Sequence, residues 1–300
     1  MPKIEYTPKN FSKGSQEIIG NANEIIASYI AQGYKLTLRQ LYYQFVSRDL
    51  LPNTVQNYKR LGSIISDARL AGLIDWDSIE DRTRELKNTS FWRSPASILE
   101  ACASQYKADK WADQPYRVEL WIEKEALAGV FERIAKELGV PYFCCRGYTS
   151  QSEMWEAAQR LQRHAHNGQS PVILHFGDHD PSGIDMTRDI RDRLALFRCD
   201  TLELDRLALN MDQVEQYGPP PNPAKETDSR FAAYIAKFGD ESWELDALEP
   251  QVLAELARAR VMEIVDRKKW DAAVKKEEDE RQILVAASDR WEEVTEFLGQ

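Results

Sequence analysis

Between residues 117 and 197, short apolar runs alternate with amphipathic stretches, and two of the runs end directly in acids. RVELWI (117–122) leads into Glu123, and PVILHF (171–176) leads through Gly177 into Asp178 and Asp180. Both runs read as strands, with PYFCCRG as another between them. EALAGVFERIAKELG, closed by Gly139, SEMWEAAQRLQRHAH and IDMTRDIRDRLALF read as the intervening helices. Strand and helix alternating at this spacing predict a mostly parallel α/β sheet. Ligand sites in such sheets gather at the carboxyl ends of the strands, which is where all three acids fall.

Carboxylate oxygens are hard ligands, and three of them without paired Cys or His suit Mg²⁺ better than Zn²⁺. Glu123, Asp178 and Asp180 are therefore candidate metal ligands, with Gly177, Pro181 and Gly183 shaping a tight loop. Read otherwise, Asp180 and Asp185 cap the following helix and Glu123 is a surface charge. That is the commoner outcome for a lone D-x-D, and the third carboxylate on an earlier strand shifts the balance towards metal. His164, His166, His175 and His179 stand at no metal-ligating spacing with the cysteines; His179, between the aspartates, approaches a phosphate or faces solvent.

The 300 residues point to two modules rather than one core. Ahead of the α/β pattern, IIGNANEIIASYI gives a first helix over 16–32 and Thr37 caps a second through TLRQLYYQFVSRDLL. Asn53 or Thr54 caps a third through NYKRLGSIISDARLAGLI, and the polar DWDSIEDRTRELKNT (75–89) suits a β-wing. Three short helices and a wing outline a winged helix-turn-helix over 1–93, with Lys59, Arg60 and Arg69 on its recognition helix. A generic helical domain fits the same pattern. A connection over 94–116 then leads to the α/β domain, which carries a C-terminal helical extension and spans 117–300; beyond 250 the charged helices read as a solvated outer layer.

The net charge of -10 argues against nucleic acid until it is divided. The first 117 residues hold 16 Lys and Arg against 13 Asp and Glu, and within 34–72 the count is 6 against 2. Binding depends on the local field, so an acidic body with a basic N-terminal module remains able to hold phosphates. Cys102, Cys144, Cys145 and Cys199 form no C-x-x-C pair, which suits a reduced, cytoplasmic protein. No apolar run approaches the roughly 20 residues that cross a bilayer, MPKIEYTPKN has no apolar signal core, and no membrane partner is expected.

WIEKEALAGVF, the later strand and GDHDPSGIDM together resemble a Toprim domain. With Arg146-Gly147-Tyr148 between them, and Arg39-Gln40-Leu41-Tyr42-Tyr43 in the preceding helical module, residues 15–200 are most similar to the topoisomerase VI A subunit and the meiotic double-strand-break transesterase family. The resemblance implies that Tyr43 is the nucleophile, that Asp178 and Asp180 bind Mg²⁺, and that Glu123 binds metal or assists proton transfer. It further implies a double-stranded DNA substrate, a homodimer whose tyrosine reaches the partner's metal, and a separate ATPase B-type subunit wherever strand passage occurs. Gln40 stands where the family has an acid, and the proline-rich loop at 218–230 departs from its pattern.

A helical wheel selects the same tyrosine independently. Leu38, Leu41, Tyr42, Phe45 and Val46 share one apolar stripe, which makes Tyr42 core, while Tyr43 points about 130° away and is expected at the surface. Arg39, one turn earlier, is placed to hold a phosphate and favour the phenolate. Two other readings remain open: a Toprim endonuclease that hydrolyses DNA without a covalent intermediate, and a DNA-binding protein without turnover.

Overall fold

The computed structural model describes residues 3–79, 91–199 and 201–299. It opens with three helices, α1 (Lys13–Ala31), α2 (Leu38–Ser47) and α3 (Val55–Leu70). Their apolar faces close on one another around Ile25, Leu41, Phe45 and Leu61. Ser12, Thr37 and Thr54 start the three helices by accepting backbone N–H groups that have no partner inside the helix. At α2 the cap is reciprocal. Thr37 Oγ1 accepts from the Gln40 N–H, and Gln40 Oε1 accepts from the Thr37 N–H at 2.8 Å, which gives Gln40 a structural reason to stand in this motif. Leu36 bridges Ile79 in parallel; the rest of the expected wing, 80–89, lies outside the described residues.

After α4 (Pro95–Gln105) the chain enters the sheet through β1 (Tyr116–Ile122), α5 (Ala128–Leu138), β2 (Tyr142–Cys144), α6 (Gln151–His166), β3 (Ser170–Phe176), α7 (Pro181–Leu196) and β4 (Glu203–Ala208). The four strands are all parallel, in the order β2-β1-β3-β4. Val118, Leu120 and Ile122 of β1 meet α5 on one face, whereas Trp121 and the Ile173 side of β3 meet α6 and α7 on the other. The chain thus leaves β1 and β3 towards opposite faces. That divergence opens a crevice at the carboxyl ends of these two neighbouring strands.

The remainder comprises α8 (Met211–Tyr217), a two-residue pair of β5 (Asn222–Pro223) and β6 (Glu241–Ser242), α9 (Phe231–Phe238), α10 (Pro250–Ile264), α11 (Arg267–Asp289) and α12 (Trp291–Leu298). The expectation of a solvated layer beyond 250 fails at α10. Leu253, Ala254, Ala257 and Val261, one helical turn apart, are buried in the core under α5. α11 is mostly exposed, but it packs along α4 and its buried Glu277 receives Lys107, Lys110 and the Ala108 N–H. Among the described residues no helix is long and apolar enough to cross a membrane.

Tyr42 is core, as the wheel predicts, and its hydroxyl also fastens the turn between α2 and α3. It accepts from the Thr54 N–H at 2.7 Å and donates to the Thr54 carbonyl at 2.9 Å. Tyr42→Phe should therefore cost about 1 kcal/mol of stability, read as a lowered urea midpoint at unchanged slope.

Candidate functional site

The register of the two central strands places their acids side by side. Ile122 lies opposite Phe176, the Glu123 N–H donates to the Phe176 carbonyl, and the Asp178 N–H donates to Glu123 Oε2 at 2.8 Å. Two glycines make room for this. A Cβ on Gly177 would lie 3.0 Å from Glu123 Oε2, and one on Gly183 would lie 2.3 Å from the Asp178 carbonyl oxygen. The loop is held from beneath by Arg206 of β4, which donates to the carbonyls of Gly177, Asp178, Gly183 and Leu209 and to Thr187 Oγ1. Sequence reading overlooked β4 and this arginine, although the alternation in LELDRLAL was the available signal.

Lys124, the next residue after Glu123, projects into the crevice and collects three carboxylates. Its Nζ lies 3.0 Å from Asp178 Oδ2, 3.0 Å from Asp246 Oδ1 and in contact with Glu244. Burial alone would lower the ammonium pKa, but Asp246, Asp178 and Glu244 outweigh it and hold it above its ordinary value. Glu244 and Asp246 come from a segment that the acid motifs did not include. It is pinned to the strand-end loop by mutual backbone hydrogen bonds between His179 and Trp243, and by the Leu245 N–H donating to Asp178 Oδ1 at 2.8 Å.

The same segment reaches α2. Arg39 contacts Glu244, and its Nε lies 3.1 Å from Asp246 Oδ2. Tyr43 sits one turn later, its hydroxyl 3.5 Å from Arg39 Nη2. The expected surface tyrosine is in fact buried, at 6% exposure. It does point away from the helical core, but the 3₁₀ turn Leu245–Ala247 packs against α2 and covers it. Nor does Arg39 favour its phenolate on balance. Burial, Glu244 and Asp246 push the phenol up to about 12 against the opposing pull of Arg39. Tyr43, Arg39 and Glu244 line a cavity of about 280 Å³ with Asn53, Thr54, Tyr58 and Asn222.

Asp180 performs the capping role that was its alternative reading, since its Oδ1 accepts from the Gly183 N–H at the start of α7. Asp185 caps nothing and pairs with Arg188 and Arg230. His179 is buried and turned inward, its Nδ1 2.8 Å from the Tyr234 hydroxyl, with its ring boxed by Tyr234, Phe238 and Trp243. That packing overturns both the phosphate-facing and the solvent-facing expectation. Lys59 and Arg60 are exposed on α3. Arg69 is not presented with them: nine residues beyond Arg60 it lies on the opposite side of the helix, stacked on Trp76 and donating to its carbonyl at 2.5 Å.

Among the described residues no three His, Cys, Asp or Glu side chains converge closely enough to hold a metal as they stand. The chemistry of the site nevertheless suits a hard cation. Five acids (Glu123, Asp178, Asp180, Glu244, Asp246) face three cations (Arg39, Lys124, Arg206), an excess of two acids that a hard cation or bound protons would balance. Asp246 Oδ2 is buried and makes no hydrogen bond, though Arg39 Nε approaches it at 3.1 Å as an ion pair. Burial, with Glu123 and Asp246 beside it, drives Asp178 up to about 7 despite Lys124 and the Leu245 N–H; burial and Asp180 raise Glu123 too. No family model matches the sequence, and no curated protein matches it.

A carboxyl whose pKa is raised in the folded state contributes stability that is fully present below its unfolded pKa and is lost as pH climbs through the folded value. Without divalent ions, the Asp178 contribution should therefore fall away between about pH 4 and about pH 7. Asp178→Asn should flatten that part of the unfolding free-energy profile; an unchanged slope would remove Asp178 as its source.

Proposed function

We propose that this chain is a Mg²⁺-dependent DNA-cleaving transesterase, a compact relative of the topoisomerase VI A subunit in which a winged-helix module presents Tyr43 to a Toprim-like sheet. The observation that carries this reading is the connection between the two halves of the motif. Arg39, one turn from Tyr43, is paired with Asp246, and Asp246 shares Lys124 with Asp178 at the strand end. The tyrosine, 135 residues before Asp178 in sequence, thus borders the carboxylate cluster rather than standing apart from it.

In this reading the phenol of Tyr43 gives up its proton and its oxygen attacks the phosphorus in line. A tyrosine–phosphate bond forms at a 5′ DNA end as the bond to the 3′ oxygen breaks, and the 3′ oxygen leaves as a hydroxyl. Reversal reseals the strand, because one ester has replaced another. Mg²⁺, held by Asp178 with Glu123 and Asp180, would neutralise charge on the phosphate and leaving oxygen. Lys59 and Arg60 supply phosphate contacts along α3, with duplex DNA as the partner. A homodimer brings two tyrosines to the two strands, and a B-type ATPase would be required for strand passage. The second reading, a hydrolytic Toprim endonuclease, is favoured by one observation: Tyr43 is buried, with its phenol pushed up to about 12.

One assay separates the two. Supercoiled plasmid is incubated with the protein and Mg²⁺, then denatured, and the 5′ ends are tested for attached protein. The transesterase yields covalent adducts that Tyr43→Phe abolishes and Asp178→Asn abolishes. Cleavage that persists in Tyr43→Phe without adducts would establish the hydrolytic reading instead.

The composition of each site is tested by mixing. Tyr43→Phe and Asp178→Asn chains, each inactive alone, are combined under conditions of subunit exchange. Nicking returns if a tyrosine works with the metal of its partner, and stays absent if Tyr43 works with the carboxylates of its own chain, beside which it lies.

A further inference from the structure

Glu244 is out of place in a site built for DNA. Among the described residues it is the one acid on the wall of a cavity lined also by Arg39, Val55, three tyrosines, Thr54 and two asparagines, where an acid repels a phosphodiester. A single oxygen, Oε2, contacts both Arg39 Nη2 and Lys124 Nζ, and so joins a cation from the helical module to one from the sheet. Those two contacts hold its carboxyl down at about 2, against the opposing effect of burial. An oxyanion shared by a guanidinium and an ammonium is the arrangement in which proteins grip phosphate.

We infer that Glu244 is an internal stand-in for a DNA phosphate. Its carboxylate fills the subsite in which Arg39 and Lys124 would hold a phosphodiester, and the closed chain is a self-inhibited form opened by nucleic acid displacing that side chain. The inference rests on the DNA-cleaving reading above and assigns its phosphate subsite. Three features make the displacement local. The backbone on either side is fixed, with Trp243 bonded to His179 and Leu245 bonded to Asp178, so only the Glu244 side chain has to turn. That side chain is one quarter exposed and opens onto the cavity, whose volume of about 280 Å³ accommodates a phosphate and part of its sugar. Asp246, whose side chain is fully buried, stays behind between Arg39 and Lys124 and keeps both cations in position after Glu244 leaves.

A ligand that must first break an internal contact binds more weakly by the fraction of the protein in which that contact is open. Removing the charge of Glu244 should therefore tighten binding. A fluorescent 20-base-pair duplex is titrated in EDTA, where no cleavage occurs, against the full chain and two neutralised variants. Glu244→Gln should bind about tenfold tighter than the parent, within the usual range of such couplings. Glu241→Gln removes the same charge from an exposed position three residues away and should stay within about twofold of the parent. Glu244→Asp, too short to bridge both cations, should shift in the same direction as Glu244→Gln and covers the case in which the latter does not fold. Equal tightening by Glu241→Gln, or none in either Glu244 variant, overturns the inference while leaving the DNA-cleaving reading intact. A parent chain and variants that all fail to bind the duplex overturn that reading, and this inference with it.

Discussion

The ammonium of Lys124 is the charge on which the rest of the crevice depends. Asp178, Asp246 and Glu244 come from two separate stretches of chain, and each would repel the others if left unpaired in a buried cleft. One cation set among them turns that repulsion into a junction joining the end of β1, the loop after β3 and the segment before α10. Through Glu244 and Asp246 the junction extends to Arg39, and so to the helical module. An ion pair this buried is weak evidence for stability, because two desolvated charges offset most of what their attraction returns. Its consequence is positional: it fixes which face of α2 meets the turn Leu245–Ala247.

The sheet supplies the place for that junction before any acid is considered. A chain leaving β1 towards one face and β3 towards the other must part at their carboxyl ends, and side chains following either strand point into the gap. Close approach there requires small residues, which Gly177 and Gly183 provide. The opened loop exposes carbonyls that need donors, and Arg206 meets three of them, at Gly177, Asp178 and Gly183, from β4. Its burial lowers it to about 10, well short of neutralising it near pH 7, so it also lends positive charge to Glu123, Asp178 and Asp180.

Much of this was legible in the sequence because it depends on local pattern. The apolar runs 117–122 and 171–176, Gly139 as the left-handed helix stop and Thr37 as a cap are local signals, and the structure carries each of them. Asp178 and Glu123 were singled out for the same reason, as acids closely following apolar runs, and the strand register sets them side by side. What escaped depends on contacts between distant segments. Glu244 and Asp246 sit in SWELDALEP, which has no motif of its own and reads as an ordinary acidic loop until Trp243 is seen bonded to His179. Tyr43 was placed on the correct face of its helix, yet its burial was missed, because a helical wheel describes one module and the covering turn belongs to the other. Arg69, nine residues from Arg60 and so turned to the other side from it, is taken up by Trp76, a contact that a sequence pattern does not show.

Tyr43 is where packing and chemistry pull in different directions. A phenol pushed up to about 12 is almost wholly protonated near pH 7 and a poor nucleophile as it stands. As packing, the hydroxyl contributes little: its hydrogen bond to Arg39 is long, and a phenylalanine would fill the same volume. Yet the hydroxyl borders a charged cavity that touches both modules, beside an arginine whose field is spent on two carboxylates. The ionisation of that oxygen is therefore set first by the burial of Tyr43, then by Glu244 and Asp246, with Arg39 opposing them. Any change that withdraws a carboxylate from Arg39 leaves more of its charge facing the phenol, and a cation entering among Asp178, Glu123 and Asp180 acts in the same direction. Under the proposed transesterase reading, a tyrosine held protonated until its neighbours change charge would be protected from idle reaction, and its burial would be relieved only when DNA enters beside Arg39.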